Sequence, residues 1–546
     1  MTATIHWLDK LVVELEEKLK SRGKEFIVIN GGLSVSGIQH IGRLRGEVIL
    51  GEVVRRELRK RGFRVKQLLT LYTQDPWKGK REQLNAFKDP DKARRYIGWP
   101  LIKVPDPYGC HNSWVDHFWE DFGPYLKDFS DGEIEVVTTT DLYKSKLKEF
   151  TKTVIELRDD VRRVINKYRG RKPYPPEWIP VEPVCGNCGR IDTTEAVELL
   201  EGGERIRYRC TNCGYTGIQT IENSKLNWRI EWVGVWSVLN VDFEPYGKDH
   251  ATPGGSRDSC VDLAINVFKI KPPEGVWYEW VSLRIDKRTS DMTSSGFIGI
   301  TPKEWLEVAH PQILRFIYLN NPPQKSIVID MREIPRYYDL YYKAERIYYG
   351  LEEPATSEEK VMARSYELSH IGEPPSNPPS QIPYLHAAIL AQIIPPEMLP
   401  DEAIKRLKKT GHLNDADKYS IKWAIELVEK AGRWAERYGP PGVKVKLPEQ
   451  PPINAYRLIE DPGRLVRLAA ELERLDQWDE DSLKEAMIRF GSNMTASERR
   501  RFYRDFYLAI LGRPEGPRAA PLLALLPKEW VINRLKSVML KGQGDT

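Results

Sequence analysis

Hydrophobic positions in the first part of the chain follow two periods. From Ile5 to Lys20 they recur every three to four residues opposite a charged face, which predicts an amphipathic, partly acidic helix. Phe26 to Ile29 is a short β-favouring apolar run that meets a cluster of Gly and Ser, Gly31-Gly32-Leu-Ser-Val-Ser36-Gly37. His40-Ile41-Gly42 then opens a second helical pattern to about Lys60, with Val48, Ile49, Val53, Val54 and Leu58 on one face. Arg55, Arg56, Arg59, Lys60 and Arg61 gather at its C-terminal end, where the helix dipole favours cations, and Gly62 stops it. A second strand run, Val65 to Tyr72, follows. Strand, glycine-rich turn, helix and strand make half of a doubly wound α/β sheet, and such sheets bind nucleotides at strand C-termini. Free N–H groups at the helix start and the absence of side chains in the turn suit a phosphate. The GxGxxG fingerprint of dinucleotide binding is missing. A second copy, His370-Ile371-Gly372, has no strand before it and Pro374-Pro375 after it, so context dismisses it.

The middle of the chain is patterned differently. Arg205 to Arg209 alternates as a strand. An apolar run, Val235 to Phe243, precedes Gly247-Lys248-Asp249-His250, which reads either as ionisable groups beside a strand end or as a charged surface turn. Thr293, Ser294, Ser295 and Gly296 form a polar loop ahead of a helix start at Thr301-Pro302; the hydroxyls either wrap a phosphate or only make a loop. From about Pro322 the pattern is helical, in segments 336–350, 356–369, 384–393, 401–410, 415–438, 454–475, 481–491 and 496–512. Proline-rich joints, Glu373 to Pro383 and Gly439 to Pro452, separate groups of helices. This half reads as all-α, with no internal repeat.

Composition narrows the class. A chain of 546 residues suggests two to four domains, and 16 Trp with 25 Tyr exclude disorder. No apolar run approaches the roughly 18 residues needed to span a bilayer, and the N-terminus does not resemble a signal peptide, so the expectation is cytoplasmic. A net charge of +5 permits a nucleic-acid partner without demonstrating one. Of six Cys, four sit as Cys185-x-x-Cys188 and Cys210-x-x-Cys213, which argues for metal over disulfides. Two such knuckles close a four-thiolate zinc site with no open position, hence structural; redox or inert pairs are the alternative. Behind a stiff proline-rich entry from Arg171 to Pro183, they predict a zinc-ribbon insertion. Asp106, Cys110, His111 and His117 offer four more ligand types, or else a turn with a structural Cys and surface His.

In combination these landmarks resemble the class I lysyl-tRNA synthetases of the archaeal type, over nearly the whole chain. The matching pieces include Ser36-Gly-Ile-Gln-His40-Ile-Gly42, Pro105-Asp-Pro-Tyr-Gly-Cys-His111, the CxxC pairs, Trp228-Arg-Ile-Glu-Trp232, Phe243-Glu-Pro-Tyr-Gly-Lys-Asp-His250 and Tyr507-Leu-Ala-Ile-Leu-Gly-Arg-Pro-Glu-Gly-Pro-Arg518. The resemblance implies an α/β fold: a Rossmann-type doubly wound parallel sheet with a zinc-ribbon insertion, followed by an all-α C-terminal domain that grips the anticodon. The corresponding expected bounds are an N-terminal helix at 1–23, catalytic halves at 24–170 and 226–320, the ribbon at 171–225 and the helical domain at 321–546. It implies ATP with Mg2+, L-lysine and tRNA as partners, with neither membrane nor DNA, and zinc on both ligand sets. By matched position it assigns catalysis to His40, Gly42 and Arg43. ATP falls to Ser36, Gly37, His40, Gly42, Lys248, Asp249, His250, Thr293, Ser294 and Ser295. Lysine falls to Gly31, Gly32, Glu231, Trp236 and His250, with Glu231 first choice for the ammonium.

The chain departs from the family pattern near the nucleotide. Arg43 stands where Asn or His is usual, Gln74-Asp75 where paired Asp is usual, and Val233-Gly-Val235 where Pro and Arg are usual. The loop that usually carries two lysines reads Asp291-Met-Thr-Ser-Ser-Gly-Phe. Lys287, Arg288 or Arg43 are the candidates to supply the missing charge. Two readings follow: a lysine–tRNA ligase, or a catalytically weakened paralogue that binds tRNA or regulates. A zinc-ribbon nucleic-acid-binding protein of other descent is the third.

Overall fold

In a computed structural model, which describes residues 5–170, 172–448 and 453–541, the chain packs as two units. Arg171 and residues 449–452 of the two proline-rich stretches lie outside the described residues. One unit takes in the chain to Trp305 with Leu314–Asp330 and Pro354–Pro374; the other comprises Leu306–Ile313, Met331–Glu353 and the chain from Pro375.

The first unit is built on a parallel sheet. Strand β1 (Phe26–Leu33) pairs with β2 (Arg64–Leu71), and β2 with β3 (Ile134–Thr138). On the other side of β1, Phe243 bridges Ile29 in parallel, and Glu274 bridges Phe243. The order third, second, first, fourth, fifth reverses beside β1, and ligands of doubly wound sheets bind at that switch point. β1 is longer than its apolar run, because Gly31 and Gly32 continue the ladder opposite Leu69 and Thr70. Gly31 also has no room for a side chain: a Cβ there would lie 2.8 Å from the backbone oxygen of Glu47, so its absence lets the following helix press on the strand. Helix α1 (Trp7–Ser21) buries Leu8, Val12, Leu15 and Leu19 along one stripe, with His6 accepting from Leu8 N at 3.1 Å as its cap.

The helical stretch from Ile41 is irregular. A single 3-10 turn (Ile41–Arg43) leads into a π segment (Arg45–Leu50) before regular helix α2 (Gly51–Lys60). π-bulges inside helices cluster at functional sites. The apolar run ahead of Phe243 is a helix, Trp228–Leu239, and not a strand. It is buried on nearly all sides, so its apolar positions show no helical period; Asn240, at φ 53°, ends it and turns the chain into the sheet. The insertion is a three-stranded antiparallel sheet (Thr194–Leu200, Arg205–Cys210, Thr216–Thr220). Val181–Pro183 pairs with Ser224–Leu226 at its neck.

Ahead of Thr293 the chain forms a hairpin, Val281–Ile285 with Arg288–Asp291, whose last residue is the first of the expected polar loop. Ile327–Asp330, inside the stretch read as helical, is a strand parallel to Val281–Ile285; its β-branched Ile-Val-Ile run prevails over a helical neighbourhood. The helix Ser357–Ser369 belongs to the first unit, where Arg364 holds Asp9 at 2.8 Å and Glu57 at 2.7 Å. In the second unit the long segment 454–475 is broken at Asp461-Pro462. Asp461 caps a new helix, Pro462–Glu473, and Pro462 cannot donate to the helix before it. Ala519–Ala524 and Lys528–Lys541 add two helices beyond the last expected one.

Candidate active site and metal centres

A cavity of about 630 Å³ opens at the switch point. The first turn after β1 forms one wall, with Ser36, His40, Gly42 and Arg43; Thr293, Ser294 and Ser295 form another. The two segments, some 250 residues apart in sequence, touch. Arg43 Nε donates to Ser294 Oγ at 2.8 Å. A Cβ on Gly37 would stand 2.3 Å from the carbonyl oxygen of Ser294, and one on Gly299 would stand 2.5 Å from His40 Cβ. Ile41 N donates to the Ile300 carbonyl at 2.7 Å, pinning the helix start to the end of the loop.

The structure adds a cation that the sequence did not single out. Lys80 lines the cavity and donates to Ser295 Oγ at 2.9 Å. Its position is tied to the first turn through Gln83, whose side chain accepts from Lys80 N at 2.8 Å and donates to the Ser36 carbonyl at 2.7 Å. Lys287 and Arg288, by contrast, sit at the exposed end of the hairpin and take no part in the cavity wall. Burial and the neighbouring Arg43 push the His40 imidazole down to about 3, so it is neutral at pH 7.

The inner end of the cavity is lined by Gly32, Tyr72, Glu231, Trp232, Glu244 and His250. Glu231 is buried and already engaged: Tyr143 donates to one carboxylate oxygen at 2.9 Å, and Lys225 pairs with the other. Lys225, with Glu231, Asp75 and Glu182 around it, is held protonated. Glu244 accepts from the indole of Trp232 at 3.0 Å and from that of Trp236, which stands behind the wall. Burial raises Glu244 to about 7. It raises Glu47 likewise to about 7, although Tyr278 donates to that carboxylate. The His250 ring lies 4.9 Å from that of Trp232. Of the expected residues, Gly31, Gly37, Trp236 and Lys248 do not reach the cavity; Lys248 pairs with Glu279 and lies over the Trp280 ring at 4.4 Å. Glu244 lies within the Phe243–His250 motif but outside the expected set of site residues. Glu47, four residues after Arg43 in the π segment that follows its turn, and Lys80 carried no sequence signal of their own.

Both predicted ligand sets converge. Cys185 and Cys213 sulfurs lie 3.7 Å apart, as do those of Cys188 and Cys210. Sulfurs at about 2.3 Å from a tetrahedral zinc stand about 3.8 Å apart, so the spacing fits. Each knuckle closes with a glycine at positive φ, Gly189 and Gly214, whose N–H donates back to Cys185 and Cys210 at 2.9 Å. In the other set, Cys110 Sγ is 3.2 Å from His111 Nδ1 and 3.3 Å from His117 Nδ1. Asp106 oxygens lie 3.5 and 3.3 Å from the same two nitrogens. A tetrahedral zinc with mixed N, O and S ligands demands separations of about 3.3–3.6 Å. N–H groups of Tyr108, Cys110 and His111 all donate to Asp106 and orient it.

A doubly wound sheet whose glycine-rich first turn meets a hydroxyl loop across a cavity has the architecture of a class I aminoacyl-tRNA synthetase catalytic unit. Residues 5–372 match the family described as tRNA synthetases class I (K), and residues 456–539 match the anticodon binding domain. The chain belongs to that family of class I synthetases. It is 64% identical to a lysine–tRNA ligase of Aeropyrum pernix over 97% of both chains. It is 31% identical to one from Methanocaldococcus jannaschii, covering 97% of this chain and 99% of that one. The relative from Thermococcus kodakarensis is 33% identical over the same shares. Among the described residues no helix is long and apolar enough to cross a membrane.

Proposed function

We propose that the cavity at the switch point activates lysine with ATP and passes it to tRNA. Lysine's carboxylate attacks the α-phosphate, giving lysyl-adenylate and pyrophosphate; a hydroxyl of the terminal ribose of tRNA then attacks the activated carbonyl and releases AMP. The protein's part is positioning and charge stabilisation rather than nucleophilic attack. Gly42 and the neutral His40 cradle the nucleotide with Ser36, Asp249 and His250. Arg43 and Lys80 face the leaving pyrophosphate through the Thr293–Ser295 loop. Mg2+, which class I synthetases use with ATP, screens the phosphates when bound. At the inner end, Glu231, Glu244 and the Trp232 face suit an ammonium, with Gly32 leaving room for the substrate. Gly31 and Trp236 support that pocket from behind.

The observation that carries this reading is the contact of Arg43 and Lys80 with the loop serines. It speaks against the weakened paralogue, because positive charge stands at the loop although its own lysines are gone. Zinc on Cys185, Cys188, Cys210 and Cys213, and on Asp106, Cys110, His111 and His117, is structural in this reading: both sets use all four positions. Reduced thiols and these substrates fit the cytoplasm. Lysine-dependent ATP–pyrophosphate exchange, run with and without tRNA, is the test. Exchange supports the ligase; tight tRNA binding with no exchange under either condition refutes it.

A further inference from the structure

The helical unit holds a cluster of metal-ligating side chains that aminoacylation does not use. His386 is in the first turn of the helix Tyr384–Ile393, His412 follows the helix Leu399–Lys409, and Glu480 opens the helix Glu480–Phe490. One ligand atom from each lies within 4.8 Å of the other two.

Two independent features mark this as more than a chance encounter. His386 is 3% exposed, yet neither of its ring nitrogens has a hydrogen-bond partner. Glu480 Oε2, at 4.0 Å from His386 Nδ1, is too distant to supply one. A buried imidazole has to satisfy its polar atoms, and this one does not do so with protein. Secondly, His412 is anchored through one ring nitrogen: Nδ1 lies 2.9 Å from the Thr410 hydroxyl, whose oxygen is also 3.1 Å from the Arg406 carbonyl. That leaves Nε2 for a ligand. Engaging one ring nitrogen so that the other can ligate is how metal-binding histidines are oriented. The two rings lie 4.4 Å apart, centroid to centroid, and Glu480 is partly exposed at the rim, which gives an ion a way in.

We propose that His386, His412 and Glu480 form a third zinc site, separate from the two in the catalytic unit. Two imidazoles and a carboxylate are borderline-hard ligands suited to Zn2+, and a water completes a four-coordinate shell. The ion ties the successive α-helices Tyr384–Ile393 and Leu399–Lys409 to Glu480–Phe490, which comes much later in the chain. It pins the turn after Lys409 to the start of the helix at Glu480, and acts as a clasp of the helical unit.

The test is zinc content and affinity in the full chain. The parent and the variants His386→Ala, His412→Asn and Glu480→Gln are purified, stripped and reloaded with zinc, and bound metal is measured by mass spectrometry. Circular dichroism checks the fold. The expected result is one zinc equivalent fewer in His386→Ala and His412→Asn, and at least tenfold weaker binding of that equivalent in Glu480→Gln. The same equivalent survives in Cys185→Ser, which separates it from the ribbon. Should His386→Ala fail to fold, the two substitutions nearer the surface decide. Zinc content and affinity equal to the parent in both of those would overturn the proposal.

Discussion

Replacing Arg43 tests whether charge reaches the pyrophosphate from the first helix rather than from the loop. Its guanidinium lies 2.8 Å from Ser294 Oγ at the cavity wall. A phosphate oxygen about 4 Å away, at an effective dielectric near 20, interacts with such a charge by about 4 kcal/mol. Part of that is present before the α-phosphate bond breaks, and only the increase toward the transition state accelerates the step. An Arg43→Ala loss of about 2–3 kcal/mol is expected, or about 30- to 150-fold in kcat/KM for pyrophosphate exchange. Lys80 is exposed, where the same arithmetic at a dielectric near 80 gives about 1 kcal/mol, or about fivefold. Arg43→Lys and Lys80→Arg should recover much of each loss. Ser294→Ala removes the hydrogen bond but keeps the charge, and should cost far less than Arg43→Ala. Lys287→Ala and Arg288→Ala should stay within about twofold. The reasoning fails if Arg43→Ala exchanges within twofold of the parent, or if Arg288→Ala is the more damaging change.

Gly37→Ala sets a Cβ 2.3 Å from the Ser294 carbonyl oxygen and must displace the loop; exchange should fall at least tenfold while the melting temperature moves little. Burial lifts Glu47 from 4.5 to about 7, so the folded chain holds a proton there that the unfolded chain releases. That contribution is complete below pH 4.5, is lost as pH rises through 7, and amounts to roughly 3 kcal/mol. Glu47→Gln should therefore flatten stability between pH 4.5 and 7 in denaturant titrations and match or exceed the parent at pH 8. Arg315 and Glu52 form an ion pair at 2.7 Å with both side chains fully buried, and Arg56 holds the other Glu52 oxygen. Arg315→Leu takes away one of the two cations on that carboxylate and leaves the carbonyls of Phe129 and Ser369 without this donor, so it should destabilise the first unit by about 3–5 kcal/mol, read by calorimetry. Cys185→Ser should lose one zinc and expose the 181–226 insertion to protease, because ligand geometry there is folding free energy; a protease-resistant insertion would count against the four-thiolate assignment.

What was legible in the sequence was local. The strand from Phe26, the helix that stops at Lys60 and the CxxC knuckles are each dictated within a few residues and appear at their expected places, although the strand runs on through Gly31-Gly32 and the helix begins with a π segment. What escaped was set by packing. The helix Trp228–Leu239 is buried on nearly all sides and mostly apolar, which blurs the period that marks a helix. Ile327–Asp330 has a β-branched run, but its partner Val281–Ile285 lies more than forty residues earlier and is not named by the local sequence. Glu231 looked like a free carboxylate for an ammonium, and nothing near it in sequence says that Tyr143, 88 residues earlier, takes one of its oxygens. Lys80 is the clearest case. It sits in a charged surface stretch with no motif, and gains its place from Gln83 reaching Ser36 in the opening turn. The departures at Arg43 and in the loop looked in sequence like separate losses of the nucleotide site. In three dimensions they are one arrangement: Arg43 and Lys80 meet the serine hydroxyls of a loop that has no lysine of its own. In the proposed reaction, charge already placed at the loop needs no reorganisation as the bond to pyrophosphate breaks.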